Sequence, residues 1–71
     1  MSVTPSRIRG RIRFWDSRRK LGSIVAQGAF HLVDRTSAHS STARQFRESL
    51  QVEFRPSEGP EGLLAQEISI D

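Results

Sequence analysis

The chain of 71 residues contains no cysteine and no tyrosine, and only one tryptophan and one methionine. Without cysteine there is no disulfide framework and no thiolate metal site. That usage suits a reducing compartment, and a cytoplasmic location is the expectation. His31 and His39 are the only histidines, and no carboxylate pattern accompanies them, so no metal and no cofactor are expected. No apolar run approaches the roughly 18 residues that a membrane helix needs. No apolar segment follows the N-terminal charges in the manner of a secretory signal. The serines and threonine near His39 (Ser37, Ser40, Ser41, Thr42) lack a G-x-S-x-G context, and Gly59-Pro60-Glu61-Gly62 lacks the Lys-Ser/Thr of a phosphate loop. Both stretches are ordinary loop and turn chemistry, so the chain is not expected to be an enzyme. There is also no internal repeat.

Acid is scarce over most of the chain. Residues 1–47 hold ten of the eleven basic residues but only Asp16 and Asp34 among the eight acids. Residues 48–71 hold one arginine and six acids, so the net charge of +3 conceals two halves of opposite sign. If the halves fold together, a polar domain with one basic face is expected, and such a face suits a polyanion. The alternative is that the acidic segment partly neutralises the basic one. The length allows one domain, 1–71, with a modest core near the limit of what folds without staples.

The densest chemistry lies in Arg7–Val25. Arginines occupy positions 7, 9, 11 and 13. In a strand these share one face, leaving Ile8 and Ile12 on the other. Phe14 and Trp15 follow, then Arg18, Arg19 and Lys20. Cations beside exposed rings are what a nucleic-acid platform requires, because cations hold phosphates and rings stack bases. The plainer reading is a solvated outer face.

The alternation of residue types predicts five strands, at 6–15, 20–26, 29–34, 50–56 and 63–70. Residues 1–5 read as a frayed lead-in. Gly10 permits a bulge or a bend in the first strand. Asp16-Ser17 and Gln27-Gly28 read as turns, and 57–62 as a connector. Residues 35–48 read as a long loop, with a helical turn at 42–48 capped by Thr42 and Phe46 anchoring it to the core. Five short strands with a long connection after the third suggest an antiparallel OB-fold barrel, an all-β fold. A small SH3-like barrel is the alternative.

Adjacent strand residues face opposite ways, so one of Phe14 and Trp15 should be core and the other exposed, unless a bulge turns both outward. The third strand has two registers. In one, Phe30 and Leu32 face outward and His31 and Val33 inward. In the other, His31 is outward and Phe30 and Leu32 are core. Burying Phe and Leu costs less than burying imidazole, which favours His31 outward.

The ordered set of motifs resembles a cold-shock domain. That family opens with a pattern like G-x-V-K-W-F-N-x-x-K-G-F-G-F-I. The chain has Gly10-Arg11-Ile12-Arg13-Phe14-Trp15-Asp16 and then Arg19-Lys20-Leu21-Gly22-Ser23-Ile24. The middle F-V-H-x-S-A is similar to Leu32-Val33-Asp34-Arg35-Thr36-Ser37. Val52-Glu53-Phe54, Ser57-Glu58-Gly59-Pro60, Glu61-Gly62-Leu63-Leu64-Ala65 and Glu67-Ile68 match the far end. The resemblance spans residues 7–70 and implies a five-stranded OB-fold barrel of cold-shock type that binds single-stranded RNA or DNA. Core-type positions agree (Ile12, Gly22, Ile24, Val33, Val52, Phe54, Ala65, Ile68). The departures fall on the base-stacking surface. Phe14 and Trp15 keep two rings in swapped order, while Leu21, Ser23, Leu32, Asp34 and Arg35 stand where the family has rings or histidine. Asp16 stands for an asparagine and Glu61 for a frequent lysine.

The expected interface is therefore Arg11, Arg13, Phe14, Trp15, Arg18, Arg19, Lys20, Phe30, His31 and Arg35. The expected function is weakly sequence-specific binding of single-stranded nucleic acid by a monomer or weak dimer, with no membrane partner. The alternative is a protein-binding adaptor or regulator that has lost base stacking and whose more apolar surface takes a protein partner.

Overall fold

The computed structural model describes residues 7–71; the expected lead-in at 1–5 lies outside them. Alternating apolar residues form strands β1 (Ile8–Asp16), β2 (Leu21–Ala26), β3 (Ala29–Val33), β4 (Gln51–Gly59) and β5 (Gly62–Ile70). They close into a barrel in the order β1-β2-β3-β5-β4, with β4 returning to β1. This closed five-stranded β-barrel is consistent with an OB-fold-like domain.

The barrel is mixed, which corrects the expectation of a purely antiparallel sheet. β3 and β5 run parallel, with Leu32 beside Leu64 and Val33 beside Ala65. The reason is topological. β5 returns antiparallel to β4 and must also close against β3, and the connection between β3 and β4 fixes its direction there.

That connection, 34–50, holds two short helices: α1 (Arg35–Ala38) and a 3-10 helix, Ser41–Gln45. The single turn expected at 42–48 is displaced toward the N-terminus. Thr42 lies inside the 3-10 helix, and Ser40 takes the N-cap position without a side-chain capping bond. Backbone bonds from Ser49 N–H to the Ile12 carbonyl and from Ile12 N–H to the Leu50 carbonyl tie the end of this segment to β1. β4 and β5 extend further than the spacing predicts, leaving only Pro60-Glu61 between them.

The core is built from the positions that the patterning marked. Ile12, Ile24, Val52, Phe54 and Ala65 are at most 1% exposed. Val33, Phe46 and Ile68 are also buried, Phe46 bringing the β3–β4 connection onto the barrel. Gly10 permits close approach of β2: a Cβ there would lie 2.7 Å from both Ile24 Cγ2 and the Val25 carbonyl oxygen. The β2–β3 hairpin turns through Gln27 and Gly28, both with positive φ, the geometry of a tight two-residue loop. Among the described residues no helix is long and apolar enough to cross a membrane.

Candidate nucleic-acid interface

The outer face of β1–β3 is set by one irregularity. Ile12 pairs with Ile24 but Phe14 pairs with Ser23, so β1 spends two residues where β2 spends one. Arg13 is the extra residue of this bulge. As a result Arg13 and Phe14 both face solvent. The same phase change turns Trp15 toward the core, where it is half-buried and meets Phe46 edge-on. Gly22 is what admits the indole: a Cβ there would lie 2.5 Å from Trp15 Cε3 and 2.7 Å from the Phe14 carbonyl oxygen. Phe14 is thus the surface ring of the pair and Trp15 the packed one.

Across the sheet, the register sets Phe14, Ser23, Leu32, Leu64 and Ser57 in one row over β1-β2-β3-β5-β4. A second row carries Arg11, Val25 and Phe30. Among the described residues the large exposed apolar side chains all belong to this face: Phe14 (50% exposed), Leu21 (55%), Phe30 (65%) and Leu32 (41%). Ordinary strand spacings put Phe14 and Phe30 about 12 Å apart, two strands across and two residues along. The face is hollowed into a groove of 650 Å³ between the β1–β2 turn and the β4–β5 hairpin. Phe14, Leu21, Leu32 and Leu64 supply its apolar lining; Arg19, Lys20, Asp34, Arg35, His39 and Glu61 supply its polar lining.

His31 is not part of this surface. It is 4% exposed and its ring lies 5.1 Å from that of Phe54, edge to face. This corrects the expected register of β3, in which the imidazole faced outward. The cost argument failed because Phe30 and Leu32 find an outer row to join, while the imidazole gains an aromatic neighbour. One atom remains uncompensated: buried Nδ1 has no hydrogen-bond partner among the described residues.

The arginine ladder divides in two. Arg7 Nε lies 3.1 Å from Glu53 Oε1, and Arg9 lies 3.9 Å from Glu53 and 3.7 Å from Asp71. Arg7 also donates to the Glu53 carbonyl and the Ser69 hydroxyl. The acidic half of the chain therefore forms ion pairs with the basic half at the start of β1, whereas Glu61 lines the groove without an ion pair among the described residues. Arg55 is likewise engaged by Glu67 at 2.9 Å. Arg11, Arg13, Arg18, Lys20 and Arg35 make no ion pair among the described residues.

The β1–β2 turn is held by Asp16, whose Oδ1 accepts from the backbone N–H groups of Arg18 and Arg19 at 3.0 and 3.1 Å. This Asx turn spends the carboxylate on backbone donors. Its other oxygen stands 4.0 Å from Arg19 Nε, on a largely exposed side chain, so Arg19 remains only loosely neutralised.

The structure brings Arg19, Lys20, Arg35 and Phe14 to the groove, with Arg11 and Phe30 on the adjoining row. Arg13 and Arg18 are exposed nearby on the bulge and turn, while Trp15 and His31 are withdrawn into the packing. Leu64 joins the face only through the parallel β3–β5 pairing, which strand periodicity does not reveal. Among the described residues no group of three or more His, Asp or Glu side chains is placed to hold a metal. Neither a protein-family model nor a curated protein matches the chain.

Proposed function

We propose that this protein binds single-stranded nucleic acid, RNA or DNA, with weak sequence specificity and without catalysis. The observation that carries the reading is that unpaired cations and exposed rings share one face. Arg11, Arg13, Arg18, Lys20 and Arg35, without ion pairs among the described residues, share the face with Phe14 and Phe30; Arg7, Arg9 and Arg55 are engaged by acids, and Arg19 at the groove is only loosely matched by Asp16. The cold-shock-like order of motifs supports the same reading, and so does the groove between the β1–β2 turn and the β4–β5 hairpin. Two rings contribute about 1–3 kcal/mol each through stacking, so phosphate contacts carry much of the affinity. Arginine serves both ends, since its planar guanidinium pairs with phosphate and stacks on bases. Binding is then steeply salt-dependent and tolerant of sequence.

The test is fluorescence anisotropy of a labelled mixed-sequence oligonucleotide. With four phosphate contacts, affinity falls about 50-fold between about 50 and 200 mM salt, by counterion release from a single strand. A duplex of the same sequence should compete poorly. Absence of binding at the lower salt overturns the proposal.

One observation favours a second reading. The groove lining is more aliphatic than aromatic, through Leu21, Leu32 and Leu64, and suits the side chains of an acidic, leucine-bearing peptide held by Lys20 and Arg35. Salt-insensitive capture of such a peptide, with no oligonucleotide binding, would decide for a protein-binding adaptor.

A further inference from the structure

One ring on the groove wall is absent from the expected interface. His39 follows α1 as its C-cap, is exposed, and lines the groove with Arg19, Lys20, Asp34, Arg35 and Glu61. Its backbone N–H donates to the Arg35 carbonyl at 3.1 Å, and its ring Nδ1 lies 3.0 Å from the same oxygen. A carbonyl only accepts, so Nδ1 carries a proton in either charge state of the ring. The neutral ring is thereby held as the tautomer whose Nε2 bears a lone pair. Nε2 has no hydrogen-bond partner, and the ring no ion pair, among the described residues.

Resting on the single-strand reading of this face, we propose that His39 binds a backbone phosphate when its ring is protonated and releases it when the ring is neutral. Arg35 and His39 stand four residues apart, neighbours across one helical turn, so a phosphate held by Arg35 lies beside the imidazole. Nε2 decides the contact. Neutral, it presents a lone pair to an oxygen that also only accepts, and no bond forms. Protonated, it donates a charge-assisted hydrogen bond and adds a cation to Arg19, Lys20 and Arg35 on the groove lining. The acids on that lining are Asp34 and Glu61. Outside it, β5 carries Glu67, engaged by Arg55, and the 3-10 helix carries Arg44. None of these acids reaches the ring as an ion pair, so its charge is left for the ligand. The bound phosphate favours the protonated ring, and by reciprocity the protonated ring favours the phosphate. Affinity is therefore highest on the acid side of the titration and falls as pH rises.

The experiment is anisotropy of a labelled mixed-sequence oligonucleotide at about pH 5.5 and about pH 8, on either side of the range in which imidazole ordinarily changes charge, each at about 50 and about 200 mM salt. The wild-type protein is compared with His39→Gln, neutral throughout, and His39→Lys, charged throughout, and thermal melts confirm folding of both variants. Wild-type affinity at the lower salt should rise about fivefold on going to the lower pH, and the salt slope should steepen by about 0.7, the equivalent of one added phosphate contact. His39→Gln should show neither change. His39→Lys should bind about fivefold more tightly than the wild type at the higher pH. Nitrogen NMR of the neutral His39 ring should place its proton on Nδ1. A full pH response retained in His39→Gln assigns that response to another group and overturns the proposal, as does a wild-type affinity that does not change with pH, or a neutral ring protonated on Nε2. Failure of the wild type to bind at either pH instead removes the single-strand reading itself, and this inference with it.

Discussion

The Trp15 ring meets the Phe46 ring edge-on, with centroids 5.0 Å apart and planes at 83°, while its neighbour Phe14 stands half exposed on the opposite surface. Two adjacent aromatics thus serve different ends. Trp15→Ala should remove about 2–3 kcal/mol of stability, since a large ring leaves a partly filled site. That corresponds to more than 10 °C in Tm for a chain this small. Phe14→Ala should shift Tm by only a few degrees but weaken oligonucleotide binding about 5- to 160-fold, the equivalent of one stack. Thermal melts and anisotropy on both variants separate the roles; equal loss of affinity at matched folding would contradict the division.

Glycine at position 22 is required by the same indole. Gly22→Ala places a methyl within 2.5 Å of Trp15 Cε3. The ring or the β1–β2 pairing must shift, at a cost of about 1–3 kcal/mol as for overpacking generally. Urea denaturation should show a lowered midpoint with an unchanged slope.

The arginines of β1 should divide as their partners do. Arg7→Ala and Arg9→Ala remove surface ion pairs to Glu53 and Asp71, so each should cost at most about 1 kcal/mol of stability and leave affinity nearly unchanged. Arg11→Ala and Arg13→Ala should each weaken binding several-fold and flatten the salt slope by about 0.7. A slope altered equally by all four would mean that charge acts without regard to place.

His31 offers a test of the β3 register. Its buried, unpartnered Nδ1 carries a desolvation cost of about 1–3 kcal/mol, set against an edge contact with Phe54 worth about 0.5–1.5 kcal/mol. His31→Leu should therefore hold or raise Tm and leave oligonucleotide affinity as it was. Loss of affinity without loss of stability would place the ring back on the surface.

The core was legible from sequence because burial tolerates no ambiguity: Ile12, Val52 and Phe54 alternate with polar neighbours, and all are buried. The interface was harder to read for a physical reason. One extra residue at Arg13 reverses every later side chain of β1, and nothing in Arg13-Phe14-Trp15 marks which residue is extra. The phase of β3 depends on the outer row that Phe30 and Leu32 join, which exists only once β2 is in place. Leu64 required the parallel seam, a contact between distant segments. The cationic turn was visible because Asp16 acts on its immediate neighbours.

That seam has consequences beyond the surface it completes. β3 and β5 are joined by two registered pairs, Leu32 with Leu64 and Val33 with Ala65, whereas β4 and β5 share a ladder from Val52–Ile70 to Gly59–Gly62. Closing the ring there joins segments far apart in the chain, so the entropy of a long loop is lost for few bonds. Contacts of this kind slow folding and open first among local fluctuations. The barrel is then best pictured as a clasp: hairpins form early, and the last closure is made under Leu32 and Leu64. Amide exchange across that closure would report both the final step of folding and the arrival of anything that lies in the groove above it.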